Sequence, residues 1–223
     1  METAKKTTSK KKAMDDNEII SLYMDCILVK YEEPKNVFSF CKEHKIVESD
    51  FYTFFGSIDA LKQQVWVKFF ENAVSTIRHD ASYESYSDKN KLLTLYFTLF
   101  EILTVNRSYV LFTLKENKEG LKNLKNLKHF RNHFKEFITE IIDSENSEIS
   151  GKLAKVTTPI FSEGAWIQFL FLLNFWMDDT SKSFEKTDVL IEKSVNTVVD
   201  ILDTKPLESL FDLGKFLWKE KMN

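Results

Sequence analysis

Apolar residues recur at helical spacing through most of the chain, and the polar residues between them fall where helices start and stop. The first stripe is Ile19, Ile20, Tyr23, Cys26 and Ile27, extending to Val29, with Asp15-Asp16-Asn17 ahead of it as a cap. Glu33-Pro34 ends that helix, and Pro34 is placed to open the next. The second helix is predicted over about Lys35–His44, burying Val37, Phe38, Phe40 and Cys41, with a turn at Lys45-Ile46-Val47. A short aromatic third helix spans about Glu48–Phe55. Gly56 stops it, Ser57 caps the next, and a long fourth helix runs from Ile58 to Arg78.

Beyond a polar stretch at His79–Asp88 the helical period continues. Helices are predicted at about Lys89–Thr104, Ser108–Asn117 and Leu124–Asp143, then a polar loop at Ser144–Ser150 and a break at Pro159. A very apolar helix follows at about Glu163–Asp178. Another at Lys186–Asp203 has Leu190, Ile191, Val195, Val198, Val199 and Leu202 on one side, and Pro206 opens a last helix to about Lys221. Five Gly and three Pro in 223 residues argue against a turn-rich β fold. The pattern predicts an all-α chain: a basic tail (1–14) without a core to bury, a three-helix domain (15–62), and a helical bundle (63–223).

Three short helices, the third aromatic, leading into a long fourth form a helix-turn-helix layout. Phe51-Tyr52-Thr53-Phe54-Phe55 and Ser57-Ile58-Asp59-Ala60-Leu61 stand where the TetR family of transcription regulators has Leu-Tyr-x-x-Phe and Ser-Lys-x-x-Leu. Asn36 stands at that family's small polar helix start, Phe40-Cys41 at its Ile-Ala pair and Lys45-Ile46-Val47 at its Gly-Val-Ser turn. Over residues 17–62 the chain resembles this family. The resemblance implies a homodimeric, ligand-responsive regulator of operator DNA, whose last long helices pack as a four-helix interface. It implies DNA contacts from Lys35, Asn36, Lys45, Glu48, Ser49, Asp50, Tyr52 and Thr53, with Tyr52 donating to a phosphate.

Charge departs from that pattern. Ile58 occupies the family's phosphate-binding lysine position, and Glu48 and Asp50 sit early in the recognition helix, where an acid can accept from a cytosine amino group but repels phosphate. Residues 15–61 hold ten acids against four lysines, a net of −6, which the tail offsets by +4. A second reading follows: a TetR-fold protein that binds an apolar ligand or lipid in place of DNA, like the lipid-binding helper of ubiquinone biosynthesis.

Twenty Phe suggest an aromatic core or cavity. Phe97, Phe100, Tyr109, Phe112, Trp166, Phe169 and Leu170 are the candidate walls for a small hydrophobic ligand, with Asn174 and Gln168 as polar groups orienting it. The density on the Glu163–Asp178 helix equally suits core plus dimer seam. The cation stripe Lys115, Lys118, Lys122, Lys125, Lys128, Arg131, Lys135 reads as a solvated face. His129 and His133 share a face without further ligands, and Cys26 and Cys41 lack metal-ligand spacing and read as buried free thiols. No nucleophile–base arrangement, cofactor motif or metal motif is present, and Asp178-Asp179 point apart on a helix. The longest apolar run, Ala165–Met177, is short for a membrane span, so a cytoplasmic protein is expected.

Overall fold

A computed structural model describes residues 14–116, 120–142 and 158–202. The described residues form helices and no strand: α1 (Asp16–Lys30), α2 (Val37–His44), α3 (Glu48–Phe54), α4 (Ile58–Arg78), α5 (Asp88–Val105), α6 (Arg107–Leu111), α7 (Lys128–Ile142), α8 (Thr158–Asp178) and α9 (Glu185–Leu202). The basic tail apart from Met14, the Ser144–Ser150 loop and the helix opened by Pro206 lie outside the described residues. The chain divides into two compact units, one ending at Val65 and the other beginning at Trp66, so α4 belongs to both.

In the first unit, α1 starts with a reciprocal cap. Asp15 accepts from the Glu18 N–H at 2.8 Å and Glu18 accepts from the Asp15 N–H at 3.3 Å. Asn36 does the same for α2, accepting from the Ser39 N–H at 2.8 Å. The second helix therefore begins after Asn36 and not at Pro34, because the Asn-x-x-Ser pair satisfies the helix's free N–H groups. Tyr31 and Lys45 end α1 and α2 in the left-handed conformation. Tyr23 and Phe40 meet edge to face at 6.1 Å, as do Phe40 and Phe51, and Ile19, Ile27, Phe55 and Leu61 complete this core. Two assignments to it fail. Phe38 is 60% exposed and Val29 85% exposed, each on the solvent side of its helix. Gly56 is not what stops α3: Phe55 turns to an extended backbone (φ −136°), and a Cβ on Gly56 would meet nothing within 4 Å.

In the second unit, α7 packs on α8, and α9 packs on α5 and α8. Its centre is aromatic: the Phe169 ring lies 5.0 Å from Phe130 and 5.3 Å from Trp166, and Trp66, Phe70 and Phe134 extend the cluster. Pro159 does not break the chain but sits in the first turn of α8, where its missing N–H has no intrahelical acceptor to lose. The helix expected at Ser108–Asn117 is instead α6 followed by a π-helical turn, Phe112–Glu116. Gly120–Leu127 winds as a 3-10 segment ahead of α7. With 21 residues, α8 is long and apolar enough to cross a membrane by length and composition, yet Trp166, Phe169, Leu173 and Trp176 are buried within this unit.

Candidate nucleic-acid interface and ligand groove

The α2–turn–α3 pair presents one face of α3 to solvent. Phe51 is buried beneath it, and Phe55, just beyond its end, is buried too, while Ser49, Asp50, Tyr52 and Thr53 are exposed. Lys35 and Lys45 are exposed at the two ends of the α2 segment. Several of the predicted DNA-facing groups already have partners. The Asn36 side chain caps α2, the Thr53 hydroxyl donates to the Ser49 carbonyl at 3.1 Å, and the Tyr52 hydroxyl donates to Glu48 at 3.2 Å. Partial desolvation and that Glu48 carboxylate raise the pKa of the Tyr52 phenol above its ordinary value, so it stays a donor. Ile58 is half-buried. Phe54 is 42% exposed, with its ring against Phe55 at 6.3 Å. Lys62, at the start of α4, is buried and bridges Glu33 and Asp59, so its charge is spent inside the unit.

The candidate ligand walls mostly close on one another. Phe100 packs against Phe169 and Trp176, Tyr109 against Phe69, and Phe112 is buried; Phe97 and Leu170 are half-buried. Asn174 is exposed on α8 and does not share the interior with them. Gln168 does: it accepts from the Tyr96 hydroxyl at 3.2 Å and donates to the Ser194 hydroxyl at 2.9 Å, tying α5, α8 and α9. A concave surface lies elsewhere. An open groove of about 550 Å³ runs between the second half of α4 and α7, with Phe70, Val74 and Phe137 as floor. Ser75, Arg78, His79, His133, Glu136 and Glu140 form its polar wall. Sequence periodicity gave no sign of a groove.

Three residues of the cation stripe are ion-paired. Lys115 meets Asp178, and Arg131 and Lys135 both meet Glu163, holding its carboxyl below the usual range; Lys118 lies outside the described residues. The neighbouring acids do different jobs. Asp178 is exposed, whereas Asp179 is buried and accepts from the N–H and hydroxyl of both Ser181 and Thr187. Beside it the Arg107 guanidinium lies 4.4 Å from both the Trp176 and Phe184 rings and donates to the carbonyls of Trp176, Met177 and Asp179. This corner fixes the path from α8 to α9, and no sequence motif announced it. A second face of α8 carries Ile160, Ile167 (65% exposed), Phe171 (57%) and Phe175, with Val189 exposed on α9.

A family model for the tetracyclin repressor-like C-terminal domain matches residues 91–217. A crystal structure of a protein from Syntrophomonas wolfei str. Goettingen, assigned as a TetR-family transcriptional regulator, superposes with a TM-score of 0.63. It covers 82% of this chain and 93% of its own at 15% identity, a likeness of fold. No curated protein matches by sequence.

Proposed function

The chain belongs to the TetR family, and from that premise we propose that it is a cytoplasmic, ligand-responsive transcription regulator that binds operator DNA as a homodimer. Residues 15–62 are its reading head, residues 63–223 its ligand-binding and dimerisation part, and residues 1–14 a basic arm. The observation that carries this reading is the α2–turn–α3 pair, with Ser49, Asp50, Tyr52 and Thr53 exposed on one side of α3 and Lys35 and Lys45 flanking α2. The apolar face of α8, with Val189 of α9, supports a second copy as the dimer partner, since adjacent exposed Ile and Phe gain most from being covered.

The groove between α4 and α7 supports a site for a small, largely hydrophobic ligand with a polar group. Because α4 belongs to both units, a ligand that binds one placement of α4 better than another shifts the reading head's affinity by at most that preference, and DNA shifts the ligand's affinity by the same factor in return. Binding of genomic fragments at low salt tests the regulator: one fragment is expected to outcompete bulk DNA, and no preference for any fragment refutes it.

A second reading has its own observation. Tyr52 is turned to Glu48, Lys62 is buried against acids, and residues 15–61 carry a net −6. These favour a TetR-fold protein that keeps an apolar ligand or lipid and has left DNA. Mass spectrometry of an organic extract of the purified protein tests it, and the absence of any co-purifying apolar molecule counts against it.

A further inference from the structure

Packing α1 against α2 assembles a group that the sequence holds far apart. The Cys26 thiol, the Glu43 carboxylate and one His44 ring nitrogen all lie within 4.8 Å of one another. Cys26 is buried on α1, His44 is half-buried and Glu43 is exposed at the last turn of α2. The His44 ring packs against Phe40 at 4.8 Å, and its Nε2 is shut off from solvent and makes no hydrogen bond, so no hydrogen-bond partner holds that nitrogen. A cleft of about 200 Å³ borders Cys26 and Glu43 and leaves room for a water ligand. From these observations the geometry points to a zinc site in the N-terminal unit, with Cys26, Glu43 and His44 as ligands and water as the fourth.

The donor set suits that ion. Thiolate, imidazole and carboxylate are each ordinary zinc ligands, and three protein ligands plus water complete a tetrahedron. Bonds of about 2.0–2.3 Å place tetrahedral ligand atoms about 3.3–3.8 Å apart. The observed group is therefore at most about 1.5 Å too open; rotation of the exposed Glu43 side chain closes its two distances, and a small rotamer adjustment of His44 closes the one to Cys26. A cation already sits against this carboxylate: the Lys30 ammonium bridges Glu43. That pair is exposed on both sides, so a divalent ion displaces the ammonium into water at little cost. Binding releases the Cys26 proton to solvent, and no electron transfer is involved. A bound ion would cross-link α1 to α2, independently of whether the N-terminal unit meets DNA.

The test uses the full chain, stripped with chelator and kept reduced with a non-thiol reductant, and cobalt(II) as a spectroscopic stand-in for zinc. Only two cysteines exist in the sequence, so a thiolate-to-cobalt charge-transfer band reports one of them. The expected result is that band at a single equivalent, bleached by zinc, retained in Cys41→Ser and lost in Cys26→Ser. Glu43→Gln, at an exposed position, and His44→Gln, at a half-buried one, should each weaken cobalt binding about tenfold or more. They keep the test decisive if Cys26→Ser fails to fold by circular dichroism. No band in the unmodified chain, a band that survives Cys26→Ser, or unchanged affinity in both the Glu43 and His44 variants overturns the site.

Discussion

Replacing Asp179 with Asn tests the corner between α8 and α9. One carboxylate oxygen accepts from the Ser181 N–H at 2.8 Å and its hydroxyl at 2.7 Å; the other accepts from the Thr187 N–H at 3.0 Å and its hydroxyl at 2.7 Å. Burial pushes this carboxyl's pKa up, but the four bonds outweigh it and bring the value down to about 2. Held near 2 where its ordinary value is 3.8, the group contributes about 2 kcal/mol of stability. Asn keeps one acceptor oxygen and turns an amide donor toward the other pair. A hydroxyl there can rotate to accept, but a backbone N–H cannot, and one buried donor left without a partner costs about 1–3 kcal/mol. The two routes agree on roughly 2–3 kcal/mol at neutral pH. Because the folded pKa is depressed, the contribution is fully present above about pH 4 and is lost as pH falls through about 2. Urea unfolding at fixed protein concentration, on the unmodified chain and Asp179→Asn, should show a gap of that size at pH 7. The gap should narrow between pH 4 and pH 2. A gap that stays constant across that window, or one below about 0.5 kcal/mol at pH 7, refutes the account.

Glu48→Ala removes a charge from the first turn of α3 and frees the Tyr52 hydroxyl. A unit charge about 7 Å from a phosphate is worth roughly 0.6 kcal/mol in water, so operator affinity at low salt should rise about threefold or more by fluorescence anisotropy. Weaker binding would mean that Glu48 reads a base. Gly56→Ala should leave thermal stability unchanged or raise it by up to about 1 kcal/mol, since neither φ nor space demands glycine there; a loss larger than that contradicts the described turn. Phe171→Lys, on the exposed face of α8, should yield a helical monomer by analytical ultracentrifugation, and a dimer that survives the charge places the seam elsewhere.

Local chemistry was legible in the sequence; neighbourhood was not. Asp15 ahead of an apolar stripe, and the long uninterrupted periods of α4 and α9, led to the right elements because caps and helical spacing act within a few residues. Pro34 and Pro159 misled because proline is compatible with both breaking a helix and entering one, and only the competing cap at Asn36 and the first turn of α8 decide. Phe38 and Val29 misled because an eight-residue helix, or the last turn of a longer one, leaves apolar residues on its open side. The candidate ligand walls read alike as core or cavity, since both need the same residue types. Their rings meet at contact distances, and the groove between α4 and α7 sets the buried Phe70 and Phe137 against polar side chains of both helices, a combination no periodicity marks. Cys26 and His44 carry no motif because two helices, not a spacing, bring them together.

Electrostatics sets how the two readings of the N-terminal unit separate. Affinity for duplex DNA comes chiefly from lysines and arginines that displace counterions, and the salt dependence counts them at about −0.9 per phosphate neutralised. On the described surface of the N-terminal unit, Lys30 is paired with Glu43 and Lys62 with Glu33, which leaves Lys35, Lys42 (over the exposed Phe38 ring) and Lys45 as the candidate cations of the α2 segment. Three contacts give a slope of about −3 per head, shallower than that of a binder making roughly six to ten phosphate contacts. The five lysines of residues 1–14 can supply the remainder. Deleting residues 2–13 should therefore flatten the plot of log affinity against log salt by up to four or five per chain. Sequence preference should survive wherever binding is still measurable if α3 is the reader. If deletion leaves the slope unchanged, the cations that hold DNA lie elsewhere. If deletion abolishes preference as well as affinity, the tail is the reader and α3 is only a scaffold.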